Sequence, residues 1–229
     1  MIPHVIHYCW FGGNPLPRSA RKCIASWKKY FPDWEIREWN ETNFDVYIHP
    51  YTKMAYTSKR WAYLSDFARL WVVERYGGLY FDTDVEVIRF PKDLLSTYTA
   101  WFGFEYPEYV ATGLGFAAIP HHPAVAAMLQ QYDRVTEITG CPQLNTDALV
   151  PYGLVKNGER QTVCNAEILP REWLCPYDDL TGRMQKTNNT VSIHWYSKSP
   201  HGKWAFYKAK VTRLIHRLVG VDFKNRLIK

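Results

Sequence analysis

The sequence predicts a mixed α/β domain, and three observations carry that class. Short β-prone apolar runs alternate with stretches of helical period. A strand, a helix and a second strand fit within roughly forty residues of the start, a βαβ unit. Apolar residues make up 47% of the 229, enough for a substantial core.

Taken in order, the run Val5-Ile6-His7-Tyr8-Cys9-Trp10 reads as a buried strand, stopped by Gly12-Gly13 so that a loop lies at its carboxyl end. "LPRSARKCIASWKKYFP" then sets Ala20, Cys23 or Ile24, and Trp27 at helical spacing, with Pro32 ending the helix. "WEIREWN" alternates as a second strand, with Trp34, Ile36 and Glu38 on one side. Residues 58–76 form the clearest helix: Trp61, Leu64, Ala68 and Trp71 make its stripe, and Gly77 stands where a left-handed cap is wanted. Gly77-Gly78 turn the chain into a strand over 79–81. "WFGFEY" and "TVSIHW" read as further short strands, and "HPAVAAMLQQYDRV" as a helix from Pro123. Near the end, Val211, Leu214, Ile215 and Leu218 form an apolar stripe, with Lys210, Arg213 and Arg217 off it. The expected organisation is one domain over 1–200 and a basic amphipathic helical segment over 201–229.

Charge and composition narrow the function. Residues 203–229 hold eight Lys/Arg against Asp222, a net +7, which leaves the rest at −1. With basic charge confined to the tail, a nucleic-acid partner is not expected. An aromatic share of 16% suits stacking on bases and sugar faces, or simply an aromatic core. Five Cys, odd in number and without a CxxC pair, predict reduced thiols. The start lacks a basic region before its apolar run, and no run of eighteen apolar residues occurs, so a cytoplasmic location is expected.

Asp82 and Asp84 flank Thr83 directly after Leu79-Tyr80-Phe81. In an extended segment i and i+2 share a side, so both carboxylates can reach one hard cation; the alternative is a solvated strand end. Asp66 and Arg69 share one face of the preceding helix. They suit sugar hydroxyls, one accepting and one donating, but on spacing alone they read as a surface ion pair. His121-His122 reads as an exposed loop, and His4 and His7 as satisfied histidines of the first strand.

Together "VIHYCWFGG", "SDFARLWVVERYGGLYFDTDVEV", "TGLGFAA" and "TVSIHW" make the chain resemble bacterial members of glycosyltransferase family 32, from Ile2 to about His194. These DXD-containing enzymes, often tied to capsular polysaccharide synthesis, are related to yeast initiating mannosyltransferases and to the catalytic domains of clostridial glucosylating toxins. The resemblance implies a GT-A fold, a Rossmann-like mixed sheet flanked by helices. It also implies a retaining transfer of hexose from a UDP- or GDP-linked donor to a glycan or lipid-linked glycan, with Mn²⁺ or Mg²⁺ as cofactor.

The resemblance further assigns roles. Trp10 would stack on the base. Ser65, Asp66 and Arg69 would hold the donor sugar and diphosphate. Asp84 would ligate the metal, and Asp82 the ribose or the metal's water shell, with Tyr80 close by. His194 would complete the metal or phosphate contacts. Glu105, Glu108, Asn145 and Asp147 are candidates near the acceptor or the reacting sugar; for Asn145 and Asp147 the competing reading is turn and cap residues ahead of a helix. After His194 the chain reads "HWYSKSPHGKW" where the family often has a second His and then Ser-Trp, so Trp195 or Trp204 would replace the missing aromatic. A phosphohydrolase would place its DxD near the start of the chain, and a carbohydrate-binding module would leave these acids without a purpose. An acceptor carried on lipid would make an anionic membrane surface a partner for the basic terminal segment.

Overall fold

The computed structural model describes residues 1–197 and Thr212. The expected basic terminal helix, Trp204 and the Ser199-Pro200 departure lie outside the described residues.

The chain opens with β1 (Val5–Cys9), α1 (Arg18–Tyr30) and β2 (Glu35–Trp39), with β1 and β2 parallel as the βαβ reading requires. α2 (Pro50–Thr57) and α3 (Trp61–Tyr76) follow, then β3 (Gly78–Tyr80) and β4 (Val85–Val87). After α4 (Lys92–Thr97) come β5 (Ala100–Tyr106), β6 (Tyr109–Ala111) and β7 (Phe116–Ala118). The described part closes with α5 (Pro123–Gln130), α6 (Cys141–Leu149), β8 (Gln161–Val163), β9 (Ala166–Leu169) and β10 (Ser192–His194).

One mixed sheet runs β2-β1-β3-β7-β5-β9-β8, with β6 beside β5; β4 and β10 form a separate antiparallel pair. Strand alternation splits the core between two faces. Tyr80, Phe102, Phe104 and Phe116 face α3, α5 and α6, whereas Leu79, Phe81, Trp101 and Ala117 face Trp27 and Phe31. α1 is fixed to β4 by its own side chains: Trp27 Nε1 donates to the Val85 carbonyl at 2.8 Å, and Ser26 Oγ accepts from Val87 N at 2.9 Å.

The helix predicted over 58–76 begins later, because two helices meet there. His49 caps α2, its Nδ1 accepting from Tyr51 N, and Pro50 starts the first turn. Lys59 then adopts a φ of +55° in the corner ahead of Trp61. Of the expected stripe Leu64 and Ala68 are buried and Trp61 and Trp71 half-buried, while Asp66, Phe67, Arg69, Leu70, Val72 and Val73 are buried beyond it.

Candidate active site

β1, β2 and β3 run parallel, and their carboxyl ends meet a turn rather than an extended strand. Val85 N donates to the Asp82 carbonyl at 2.9 Å, closing a tight turn over Asp82-Thr83-Asp84 between β3 and β4. This corrects the expected i,i+2 strand geometry: reversal of the chain, not strand alternation, brings the two carboxylates together. His194 arrives from β10, paired with β4 so that it stands opposite Val85. One ligand atom each from Asp82, Asp84 and His194 lies within 4.8 Å of the others.

The polar network beside this cluster is buried. Arg69 Nη2 lies 3.0 Å from both Asp66 Oδ1 and Asp82 Oδ1. Tyr80 Oη donates to the same Asp82 oxygen at 3.0 Å, and the guanidinium sits 5.2 Å from the Tyr80 ring centre. Arg69 Nε donates to the Ser65 carbonyl at 3.2 Å. Asp66 is 9% exposed and Arg69 3%, so the surface ion pair read from spacing is overturned: α3 packs this face inward against β3. Most of the guanidinium's donors are spent holding protein groups, so Arg69 is chiefly the residue that positions both carboxylates.

The electrostatics are those of an acid-rich cluster. Burial pushes Asp66 up to about 6; Arg69 pulls it down and Asp82 adds to the rise. Asp82 is also raised, first by burial, with Arg69 opposing and Asp84 reinforcing. Burial opposes charge on His194, but its contact with Asp84, 3.2 Å from Nε2 to Oδ1, outweighs this and holds the imidazole up to about 10. Asp84 is lowered because that histidine and the Ser197 N–H together outweigh burial. Three acids thus share one guanidinium and one imidazole. Two carboxylates and an imidazole converge here, and a divalent cation fits them by taking the place of the proton that His194 shares with Asp84.

The remaining predicted residues divide. Ser65 stands on α3 with its hydroxyl donating to the Trp61 carbonyl at 3.0 Å. Trp10 follows β1, half-buried, with its indole N–H turned to the Asn14 carbonyl. Glu105 is half-buried on β5 beside Tyr196, whose phenol is raised by burial first, with Cys175 and Glu105 adding to it. Glu108 is exposed in the turn between β5 and β6. Trp195 is turned outward: its indole N–H donates to Glu86 Oε2 at 2.9 Å, and its ring lies 5.5 Å from Tyr177.

Asn145 and Asp147 lie within α6, not ahead of a helix, and two positions on a helix point in nearly opposite directions. Asn145 is fully buried and its Nδ2 donates to Thr112 Oγ1 at 3.2 Å; its Oδ1 has no partner among the described residues. Asp147 is exposed and accepts from Gln143 at 2.7 Å. The two cannot share one site. Among the histidines, His122 is 1% exposed and caps α5 by accepting from Ala124 N, against the exposed loop expected. His121 beside it is exposed, 2.7 Å from Glu74.

Four residues of the site escaped the sequence reading. A Cβ at Gly113 would stand 2.6 Å from Asp82 Oδ2 and 3.0 Å from Arg69 Nη1, so glycine keeps the approach to that pair open. Its signal, a glycine just after a β-prone run in "VATGLG", was present. Cys141, at the start of α6, faces Arg69 Nη1 at 3.8 Å and carried no pattern. The Tyr196 ring lies tilted against His194, centres 4.2 Å apart, and Ser197 N donates to Asp84 Oδ2 at 2.7 Å.

Residues 17–101 match the family model described as a glycosyltransferase sugar-binding region containing a DXD motif. Inositol phosphoceramide mannosyltransferase 3 of Schizosaccharomyces pombe is 28% identical over a 142-residue alignment, which covers 58% of this chain but only 38% of the yeast protein. Among solved structures, the PaToxG glycosyltransferase superposes with a TM-score of 0.50 at 18% identity, over 66% of this chain and 69% of its own. A glycosyltransferase involved in glycosylating the major capsid protein of PBCV-1 superposes with a TM-score of 0.51 at 12% identity, over 93% of this chain and all of its own. At these identities the two structures speak to fold alone, and that fold is GT-A.

Proposed function

We propose that this chain, which carries the DXD-containing sugar-binding region of glycosyltransferases on a GT-A fold, moves a hexose from a nucleotide diphosphate sugar to a hydroxyl of a glycan. The observation that carries the reading is the meeting of Asp82, Asp84 and His194 beside the buried Asp66–Arg69–Asp82 network.

Asp82, Asp84 and His194 would hold Mn²⁺ or Mg²⁺, which when bound would offset the charge of a diphosphate leaving group. The protein's own part is orientation. Arg69 holds Asp66 and Asp82 in place, and Asp66 offers an acceptor to a sugar hydroxyl. Trp10, at the carboxyl end of β1, offers a face to the base. Asp84, tied to Ser197 N and His194, couples the segment after β10 to the cluster. Retention is the stereochemistry proposed, by attack from the face the diphosphate leaves. A lipid-linked acceptor suits the net +7 of residues 203–229.

Thermal melting with UDP or GDP, with and without Mn²⁺, tests this. Stabilisation by a nucleoside diphosphate is expected only with the metal, and Asp84→Asn is expected to abolish it while still melting cooperatively alone. If neither nucleotide stabilises the wild-type chain under any metal condition, the donor assignment fails.

A further inference from the structure

α1 is uniformly basic. Its thirteen residues include Arg18, Arg21, Lys22, Lys28 and Lys29 and no acid, and all five bases are exposed. Among the described residues none of the five is ion-paired. At about 100° per residue they fall within an arc of about 120°. That arc faces away from Ala20, Cys23, Ile24 and Trp27, which the helix buries. A solvated helix face ordinarily mixes signs. This one does not, although the chain ahead of residue 203 sums to −1. Averaging charge along the sequence concealed it.

A second observation indicates what the face meets. Phe90 is 39% exposed, beside exposed Arg89, and its ring packs on Phe31 just past the end of α1, centres 5.1 Å apart. Positive charges bordered by a projecting aromatic match a surface with anionic head groups over an apolar layer. A soluble polyanion would use the charges and leave Phe90 idle. Position agrees as well. α1 starts at the carboxyl ends of the strands, where the acidic cluster lies, and rests on β4.

We infer that the outer face of α1, with Phe90 at its edge, docks on an anionic lipid bilayer. The inference does not depend on the proposed transfer reaction. Co-sedimentation of the full chain with vesicles of phosphatidylcholine, alone or mixed with phosphatidylglycerol, tests it at low and high salt. Wild type is expected to partition onto the anionic vesicles at low salt, and Arg21→Gln/Lys22→Gln/Lys29→Gln to lose on the order of 10²-fold in partition while melting as wild type does. Phe90→Ser is expected to weaken what binding remains at high salt, where charge is screened. The docking surface is wrong if the triple variant partitions like wild type, or if wild type ignores anionic vesicles. Competition by heparin, with no effect of Phe90→Ser, would assign the face to a soluble polyanion instead.

Discussion

Arg69 is the residue on which the acidic cluster depends. Its Nη2 serves Asp66 and Asp82 together, both at 3.0 Å, in a site where burial already raises each carboxyl. Removing the guanidinium leaves buried acids facing one another without a cation, so Arg69→Ala is expected to cost about 3 kcal/mol or more in urea unfolding. Arg69→Lys keeps the charge but loses the Nε bond to the Ser65 carbonyl and the planar guanidinium, and its cost is expected to fall between. A loss below about 1 kcal/mol for the alanine variant would mean that the network is solvated and worth little. The acids themselves were legible in sequence, because Asp82, Asp84, Asp66 and Arg69 sit at short regular spacings. Their burial was not, since i,i+3 spacing is the same for an inward and an outward pair. Gly113, Cys141 and Ser197 come from three other segments, and no local spacing joins them to Asp82 and Asp84.

Elements were most legible where one local rule governs them. The apolar run after His4, the period of α1 and the Gly12-Gly13 stop all agree, so the first βαβ unit follows from sequence. α2 was hidden because it is short and its start is set by His49 and Pro50 rather than by an apolar period, and the turn at Asp82–Val85 because its residues suit a strand as well. Gly77 joins two legible elements in an unexpected way. In place of a left-handed cap it has φ +63° and ψ −168°, a region essentially reserved for glycine. A Cβ there would meet the Pro120 ring at 2.6 Å and that of Pro3 at 2.9 Å. Gly77→Ala combines backbone strain with a clash against two rigid rings. It is expected to destabilise the protein by about 2–4 kcal/mol, read as a lowered denaturation midpoint with an unchanged slope. A neutral result would require the α3–β3 junction to shift, and with it the Arg69–Asp82 contact.

At the scale of the whole molecule, two core faces meet across a sheet whose first three strands are tied by one buried imidazole. His7 on β1 accepts from Trp39 Nε1 of β2 at 3.0 Å through Nδ1, and its Nε2 lies 2.9 Å from the Gly77 carbonyl ahead of β3. These partners require the neutral ring protonated at Nε2, since one nitrogen must accept and the other donate. Burial pulls His7 down from 6.5 to about 4; the Gly77 carbonyl opposes that, Arg37 adds to the fall and Glu35 opposes it weakly. With the folded value below the unfolded one, the unfolded chain binds the extra proton between those limits. The contribution is therefore complete above pH 6.5 and is lost as the pH falls toward 4, about 3 kcal/mol in all. His122, also lowered by burial, acts in the same sense, whereas Asp66, raised to about 6, acts in the opposite one. The total stability curve mixes these groups, so the diagnostic quantity is a difference. His7→Gln is expected to be less stable than wild type near neutrality, with the gap closing as the pH is lowered from 6.5 toward 4. Urea titrations across that range read the gap directly, and a gap independent of pH would show that His7 is not held neutral across the strands.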